Sequence, residues 1–347
     1  MAKNPILEDF GLDTGLIAKP IDSGLINSTY ALSLEGQKEP SYILQKINKD
    51  VFKDPLGVQS NIARALKHLS FKKNGCYVGM LATREKKFFS VDTHGDYWRV
   101  FHFVKESVTL KDLENSGQAY EVGRVLGEFH SLLLDLPSKD FKMTIKGFHD
   151  TSSYLESFQK AVKKDPVKRA ETLEDELGFL VDRAHYANQI EILTTKHKLS
   201  KRLCHGDPKL SNILFDKKRE KALCLIDFDT VMPGYWLHDF GDLVRSAMSC
   251  LQKEGPKKGP SFCEETYQEI KKGYLSQTLN ILTEIEKEAL ALSALIITYE
   301  LCLRFLTDYL NGDVYFSTSY KEQNLDRFKE QQHLLASMET LAINAPY

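Results

Sequence analysis

The sequence predicts an α+β fold of two lobes, a small β-rich N-terminal lobe followed by a larger, mostly helical C-terminal lobe. The chain has 347 residues, and at roughly 100 to 200 residues per domain this is enough for two lobes that share a cleft. Segments rich in β-branched and aromatic residues fill most of the first hundred positions, and helical periodicities fill most of the rest. We therefore divide the chain into lobes of residues 1–104 and 105–347.

Five strands and one helix are expected in the N-terminal lobe. The strands are "GLIAKPI", "STYALSL", "SYILQKI", "KKFFSVD" and "YWRVFHFV", and turns rich in Gly, Asn or Lys separate them. The helix is "VQSNIARALKHLS", in which apolar residues recur near a 3.6-residue period. Beyond Glu106 the pattern is helical except in residues 203–242, where apolar β segments carry six aspartates. This layout is typical of kinase-like phosphotransferases.

Composition and charge restrict the classes of partner. A net charge of -2 with 27% charged residues gives no indication of disorder or of a broad nucleic-acid surface, so we expect small partners. The opening "MAKNPILEDFGL" places acids and a proline where a signal peptide needs an apolar run, which predicts a cytoplasmic protein. The longest uncharged helical run, residues 289–299, is shorter than the ~20 residues of a bilayer span, so no membrane segment is expected.

Two further patterns exclude other chemistry. The six cysteines are too scattered for a zinc site or a disulfide framework, and we expect reduced, mostly buried thiols. No G-x-x-x-x-G-K-[ST] motif occurs, which excludes a P-loop nucleotide site.

The central segment carries side chains that phosphoryl transfer requires. In "HGDPKLSN", Asp207 precedes Asn212 by five residues, the offset of the Asp and Asn in the kinase catalytic loop H-R-D-x-x-x-x-N. The next segment, "ALCLIDFDT", is an apolar strand that ends in Asp227 and Asp229. This pattern predicts Asp207 as the base at the acceptor hydroxyl and Asn212 and Asp227 as ligands of Mg²⁺. The alternative, that these are loop and cap acids, does not explain their shared type, order and strand context.

The literal "DFG" at residues 239–241 has a different predicted role. It lies twelve residues after Asp227 and opens the helix "DLVRSAM". We expect Asp239 and Asp242 to cap that helix or to hold the loop.

These segments resemble the aminoglycoside phosphotransferase and choline kinase-like superfamily. "HGDPKLSNILFD" and "LIDFDTVMPGYWLHDFGDLVRS" carry the resemblance, and "ITYELCLRFLTDYLNGDVYF" makes the chain most similar to bacterial N-acetylhexosamine 1-kinases. The resemblance implies transfer of the γ-phosphate of ATP, with Mg²⁺, to the anomeric hydroxyl of an N-acetylated hexosamine. It implies Asp207 as the base, Asn212 and Asp227 as metal ligands, and Asp229 as a contact to metal or substrate.

A polar stripe crosses the apolar C-terminal helix. Glu300, Arg304 and Asp308 recur every four residues, which is either an ion-pair ladder on a solvated face or a surface that binds sugar. Apolar neighbours leave little of this helix exposed, and the resemblance matches Arg304 and Tyr315 to sugar-binding positions. We therefore favour substrate contact for Arg304 and Tyr315, with Glu300 and Asp308 orienting Arg304.

The N-terminal lobe gives weaker signals for the nucleotide. In "DSGLINSTY", a turn with the single glycine Gly24 and with Asn27 can present backbone N–H groups to phosphates. Leu25 stands where a hexosamine kinase has a histidine, so a sugar contact from this turn is not supported.

The cationic partner of the phosphates is left open between two neighbouring positions. Lys46 is the candidate phosphate ligand on "YILQKIN", but alternation puts Gln45 on the opposite face, and either face could meet the nucleotide. Adenine is expected at the lobe junction near Val104, where backbone groups would bind it.

Two alternatives remain at the level of function. One is another small-molecule kinase of the superfamily, acting on choline, methylthioribose, homoserine or an aminoglycoside. The other is a catalytically silent nucleotide or sugar sensor, because the helix that should supply a glutamate partner for the lysine has "QSN" instead. The sequence leaves open the acceptor, ATP against GTP, and the oligomeric state.

Overall fold

An antiparallel sheet of five strands forms the core of the N-terminal lobe. The computed structural model describes residues 5–21, 26–72, 78–248 and 261–342, without the side chains of residues 341 and 342. The strand order is β1-β2-β3-β5-β4. The elements are helix α1 (Pro5–Asp9), β1 (Ile17–Pro20), β2 (Ser28–Ser33), β3 (Tyr42–Lys46), helix α2 (Pro55–Lys72), β4 (Ser90–Val91) and β5 (Tyr97–His102). All five predicted strands and the predicted helix are confirmed.

The two faces of this sheet have different neighbours. Leu44 and Val100 point to an outer face, where they form a small apolar cluster with residues of α1. Alternation puts Phe101 on the inner face, in the large cluster that continues through α2 into the C-terminal lobe. A side chain of β3 or β5 therefore faces the second lobe only if its position has an odd number.

Short strands between the lobes position the central loops. β6 (Ser107–Thr109), β8 (Ile213–Asp216) and β9 (Ala222–Leu225) make a three-stranded antiparallel sheet in the order β6-β8-β9. β7 (Arg202–Cys204) pairs with β10 (Met232–Gly234). The segments that follow β7 and β9 consequently lie side by side.

Helices make up the rest of the C-terminal lobe. They are α3 (Ser116–Leu133), α4 (Thr151–Lys164), α5 (Glu174–Asp182), α6 (Gln189–His197), α7 (Trp236–Met248), α8 (Glu264–Thr278), α9 (Glu284–Glu288), α10 (Leu290–Leu310) and α11 (Gln323–Ala342). α3 and α8 approach closely at Gly123, where a Cβ atom would meet the carbonyl oxygen of Ile270 at 2.0 Å. The predicted α+β fold is confirmed, and the lobe boundary after residue 104 stays a prediction.

Helix α10 is the central helix of this lobe and packs against α4, α7 and α11. Within the described ranges it is the one helix whose length and composition would allow it to cross a membrane, and 67% of its apolar window is buried inside the protein. A buried core helix meets the same criteria, so α10 is weak support for a membrane span.

The four described cysteines, Cys204, Cys224, Cys263 and Cys302, are all free thiols. Three of them are buried, as predicted, and Cys263 is partly exposed. Cys76 and Cys250 lie outside the described residues.

Candidate active site

The loop after β7 presents Asp207 at its tip. Gly206 has φ +86°, and a Cβ atom there would lie 2.7 Å from the carbonyl oxygen of Thr230, so this position requires glycine. The backbone N–H groups of His205 and Gly206 donate to the two carboxylate oxygens of buried Asp239, at 2.6 and 2.8 Å. Asp239 thus fixes the backbone of the loop, while the side chain of Asp207 keeps about 30% of its surface exposed.

Asp207 and Asn212, the predicted base and metal ligand, lie in contact. The amide Nδ2 of Asn212 donates to the backbone oxygen of Asp207 at 2.8 Å and to its Oδ2 at 3.2 Å. Residues 210–212 form a single 3₁₀ turn, which brings the two side chains together across the five-residue offset. Since Nδ2 makes both bonds, the carbonyl oxygen of Asn212 is the atom that a cation can use.

Lys209 adds a positive charge that the sequence reasoning did not consider. Its Nζ lies 2.6 Å from Oδ2 of Asp207. Burial would lower the pKa of Lys209, but the carboxylates of Asp207 and Asp227 raise it above its usual value. Lys209 is therefore an ammonium ion beside the candidate base.

Asp227 stands in an unusual conformation and environment. It follows β9 with φ +68°, a left-handed conformation that is uncommon for an aspartate and is found at functional sites. Desolvation by the surrounding protein, with the nearby carboxylates of Asp229 and Asp207, raises the pKa of Asp227 to about 7, although the residue itself remains partly exposed. Carboxylates held together in this way favour a bound cation.

The oxygen atoms of this cluster fit a hard divalent cation. Asp227 and Asn212 supply a carboxylate and an amide oxygen, and the backbone N–H of Ile226 donates to the backbone oxygen of Asn212 at 2.9 Å, which ties the two segments together. Across the described ranges, no three His, Cys, Asp or Glu side chains converge as a metal site. Mg²⁺ is often bound by one or two carboxylates with phosphate oxygens and waters completing its shell, so a small protein ligand set suits it.

Asp229 contacts the N-terminal lobe. It is 3% exposed, its Oδ1 lies 2.5 Å from Nη1 of Arg99, and its Oδ2 accepts from Nδ2 of Asn27. The backbone N–H of Asn48 donates to Oδ1 of Asn27 at 3.0 Å and holds that side chain in place. Of the predicted turn, Asn27 thus reaches the acidic cluster, whereas Gly24 and Leu25 lie outside the described residues.

The position of Lys46 argues against its assignment as the phosphate ligand. Lys46 lies on the outer face of the sheet, 38% exposed, with Nζ 3.3 Å from Asp96. Gln45 lies on the inner face, where its Oε1 accepts from Nε and Nη2 of Arg99 at 3.0 and 2.8 Å. The physical reason is strand alternation, which the register of Gln45 with Arg99 fixes.

Val104 connects β5 to β6 at the junction of the lobes. Its carbonyl oxygen accepts from Oγ of Ser107 at 2.6 Å. Its position is compatible with the expected adenine site, and the contact itself stays a prediction.

The polar stripe on α10 is largely buried, as expected. Of its two acidic residues, only Glu300 lies near Arg304. Glu300 is fully buried, 3.9 Å from Arg304, and bonds more closely to Nδ1 of His149 at 3.0 Å and to Oγ1 of Thr151 at 2.9 Å. Asp308 does not orient Arg304, which corrects the expectation. Its oxygens instead accept the backbone N–H groups of residues 314–316 and the amide of Asn324.

Arg304 is enclosed by aromatic rings. Its guanidinium carbon lies 5.2 to 5.8 Å from the ring centroids of Phe148, Tyr154, Tyr315 and Phe316. Because Asp308 fixes the backbone of the loop that carries Tyr315, the two predicted sugar-binding residues are held together. The side chain of Arg304 keeps 14% of its surface exposed, and Tyr315 is 53% exposed.

Asp239 holds the loop that carries Asp207, in agreement with the expected loop-holding role. Besides the two backbone N–H groups, its carboxylate meets Nε2 of His130 at 2.8 Å. Burial would raise the pKa of Asp239, but the bonds from His130 and Gly206 lower it. His205 also supports this loop, since its Nε2 lies 3.0 Å from the backbone oxygen of Ile226. Asp242 binds Arg245, with Oδ1 accepting at 2.7 and 2.9 Å.

Three residues that contact the site were missed by sequence reasoning. Lys209 stands two positions after Asp207 in the quoted motif, and Arg99 could have been found by extending strand alternation from Gln45 to β5. His149 has a φ of +58°, and neither this conformation nor its contact with Glu300 left a signal in the sequence.

Comparison with known proteins gives a family match and several solved structures of similar fold. Residues 17–256 match the family model described as "Phosphotransferase enzyme family". Among solved structures, an aminoglycoside phosphotransferase from Alicyclobacillus acidocaldarius is 13% identical with a TM-score of 0.64, over 99% of this chain and 97% of that one. Spectinomycin phosphotransferase in complex with ADP and spectinomycin is 14% identical with a TM-score of 0.62, over 93% of each chain.

A choline kinase from Cryptosporidium parvum is 18% identical with a TM-score of 0.59, over 96% of this chain and 91% of that one. At these identities the structural matches show only the fold. The family is shown by the match of residues 17–256 to the family model. Since that match spans more than two thirds of the chain, the protein belongs to the phosphotransferase enzyme family.

Proposed function

We propose that this protein is a small-molecule kinase that transfers the γ-phosphate of ATP, with Mg²⁺, to the anomeric hydroxyl of an N-acetylhexosamine. The observation that carries the acceptor assignment is the guanidinium of Arg304 inside its four aromatic rings. Family membership supports the phosphotransfer. The ADP complex of spectinomycin phosphotransferase supports a nucleotide site in this fold.

The enclosure of Arg304 disfavours cationic acceptors. A ring of aromatic side chains is the arrangement that recognises quaternary ammonium groups. Here the protein's own cation already lies among the rings, and an ammonium group brought beside it would be repelled. Choline and the polycationic aminoglycosides are therefore weaker candidates than a neutral acceptor.

The same groups suit a sugar. A guanidinium donates hydrogen bonds from a planar fork, which fits hydroxyl and acetamido oxygens. The partly exposed ring of Tyr315 offers an apolar face and a hydroxyl beside it. Together with the resemblance of residues 297–316 to hexosamine kinases, these contacts support an N-acetylated sugar.

The loop residues would then act on the acceptor hydroxyl. Asp207 accepts its proton as the oxygen attacks the γ-phosphorus. Lys209 provides positive charge at the same position, where charge is spread over the transferring phosphoryl group. Asn212 and Asp227 would hold Mg²⁺, which neutralises the phosphates when bound.

The nucleotide would lie between the lobes, with Asn27 near its phosphates and adenine near Val104. We also propose a cytoplasmic location, where ATP is plentiful. Expression with a fluorescent tag and fractionation would test that location, and recovery with the membrane or outside the cell would contradict it.

One assay tests the acceptor. ADP release would be measured with Mg²⁺ and ATP over epimeric N-acetylhexosamines, plain hexoses, choline, methylthioribose, homoserine and aminoglycosides. Phosphorus NMR would then identify the phosphorylated position. We expect the highest kcat/KM for an N-acetylhexosamine and a sugar 1-phosphate as product.

The Asp207→Asn variant serves as the matched control for contaminating kinases. Preference for a cationic acceptor would overturn the sugar assignment but leave the kinase assignment intact. Nucleotide binding without turnover on any acceptor would instead favour the silent sensor.

A further inference from the structure

A buried arginine of the N-terminal lobe has no role in the proposed reaction. Arg99 lies on β5 and is 1% exposed. The lysines of the neighbouring strand and turn, Lys46 and Lys49, both pair with Asp96, Lys46 from the outer face of the sheet. On the inner face, Lys19 is a second cation, but it lies on the exposed edge strand β1. Arg99 is thus a buried positive charge that faces the acidic cluster of the C-terminal lobe.

A chain of hydrogen bonds across three strands fixes this guanidinium. Thr29 of β2 accepts from Nε2 of Gln45 on β3 at 3.1 Å, and Oε1 of Gln45 accepts from two nitrogens of Arg99. The ring of Phe101 lies 5.1 Å from the guanidinium carbon. Holding a long side chain this rigidly lowers the entropy it would lose on binding a ligand.

One nitrogen of Arg99 remains without a hydrogen bond. Nη1 lies 2.5 Å from Oδ1 of Asp229 in a buried ion pair, and within the described ranges neither atom has a hydrogen-bond partner beyond that contact. Leaving a buried donor and acceptor unsatisfied is costly, and such atoms commonly meet a ligand or ion. The amide of buried Gln59 is a second group of this kind. It lies on α2, which packs against the 228–230 turn.

We infer that Arg99 is the phosphate-binding cation of the nucleotide site and that Gln45 is its positioning residue. The cation reaches the inner face from β5, because the β3 position in register with Arg99 is occupied by Gln45. Nη1 donates to a non-bridging phosphate oxygen, and Asp229 holds the guanidinium in place beside the phosphates. The planar fork of arginine matches phosphate geometry better than a lysine ammonium would. This inference rests on the proposed nucleotide site but needs no particular acceptor.

Nucleotide binding without an acceptor tests the inference. The Kd of ADP with Mg²⁺ would be measured by calorimetry, and that of adenosine by competition with a fluorescent ADP analogue. We expect Arg99→Gln to weaken ADP by about 10- to 100-fold, the usual range for a hydrogen bond to a charged group. Adenosine should change less than about twofold, since it lacks phosphates. The matched control is Lys46→Met, which removes a cation of the outer face and should leave both constants unchanged.

Three further variants separate phosphate binding from a merely structural ion pair. Arg99→Gln leaves Asp229 buried and unpaired, so the same comparison would be made between Asp229→Asn and Asp229→Asn/Arg99→Gln, in which no buried carboxylate is left alone. Gln45→Lys/Arg99→Met moves the cation to the adjacent position on β3 and should restore most of the ADP affinity. Loss of thermal stability with an unchanged ratio of the adenosine and ADP constants would overturn the inference. A failed acceptor screen with this ADP pattern intact would affect the proposed substrate alone.

Discussion

Nζ of Lys209 lies 2.6 Å from Oδ2 of Asp207 in the loop that follows β7. The candidate base is therefore paired with a cation from its own loop, and the amide of Asn212 contacts the same carboxylate oxygen at 3.2 Å. These two partners fix the direction in which Asp207 can accept a proton. Of the two partners, Lys209 carries the positive charge, which in the proposed reaction would stabilise the transferred phosphoryl group.

Removing the base should separate turnover from binding. We expect Asp207→Asn to lower kcat by ~10² to 10⁴, the usual contribution of a positioned general base. Because the side chain is partly exposed, the melting temperature and the Kd of ADP should change little. Steady-state kinetics, calorimetry and thermal unfolding measure the three quantities. Near-normal turnover would show that another group accepts the proton.

Removing the cation should have a related but smaller effect. We expect Lys209→Met to lower kcat by roughly 10- to 10³-fold, as for loss of one group that stabilises charge in the transition state. The KM of the acceptor should stay within about threefold if Lys209 acts only in the transition state. Lys217→Met, which removes an exposed lysine of the 217–221 turn, is the control. An equal loss of kcat in Lys209→Met and Lys217→Met would contradict a specific role of Lys209 beside Asp207.

Two aspartates should behave differently when they are replaced by alanine. Asp227→Ala should abolish turnover and the Mg²⁺ dependence of ADP binding, because it removes the charged metal ligand. Asp239→Ala should instead destabilise the fold by about 3 kcal/mol or more, since it leaves His130 and two backbone N–H groups without their buried partner. Calorimetry with Mg²⁺ or EDTA and urea unfolding measure these effects. A stable Asp239 variant that has lost metal-dependent ADP binding would reverse the assignment.

Substitutions in the aromatic enclosure should affect the acceptor and spare the nucleotide. We expect Arg304→Lys and Tyr315→Phe each to raise the sugar KM by the equivalent of about 1 to 3 kcal/mol, because polar groups of the complex are left unpaired. The KM of ATP should not change. Tyr320→Phe, an exposed tyrosine paired with Asp326, is the control. Unchanged sugar kinetics with a lower melting temperature would mean that the enclosure only stabilises the lobe.

The His149–Glu300 pair should make stability depend on pH. Burial would lower the pKa of His149, but Glu300 and the backbone oxygen of Gly206 raise it above 6.5. Burial would raise the pKa of Glu300, but His149 and Arg304 lower it below 4.5. Both ring nitrogens of His149 face acceptors, at 3.0 Å each, which suits the protonated ring. His238, Asp242 and Arg304 are the other titratable groups around the pair.

The directions of these two pKa shifts determine how stability changes with pH. The contribution of His149 is fully present below pH 6.5 and is lost as pH rises through its higher folded pKa, while that of Glu300 is lost as pH falls through its lower folded pKa. We expect the free energy of unfolding to fall as pH rises above 6.5, and His149→Gln to reduce that slope. Urea titrations at pH 5.5, 7 and 8.5 measure it. If the free energy of unfolding changed with pH equally in the wild-type protein and in His149→Gln, His149 would not titrate in this range.

The sequence determined the local elements and the order of the chemistry. Alternating apolar residues in short runs defined five strands, and a 3.6-residue period defined the helices, because each pattern buries one face of one element. The five-residue spacing from Asp207 to Asn212 is short enough to be set by a single 3₁₀ turn. These features depend on neighbours along the chain, and the sequence contains that information directly.

Tertiary structure decided which side chains of distant segments meet. Whether Gln45 or Lys46 faces the second lobe depended on which face of the sheet packs against α1, and no local pattern distinguishes the two faces. Arg99 and Asp229 are separated by 130 positions and come together only when β5 and the turn after β9 lie across the cleft. Asp308 fits an ion-pair ladder by its spacing, but the backbone N–H groups of the loop at residues 314–316 bind its carboxylate instead, because burial of a charge requires its full set of partners.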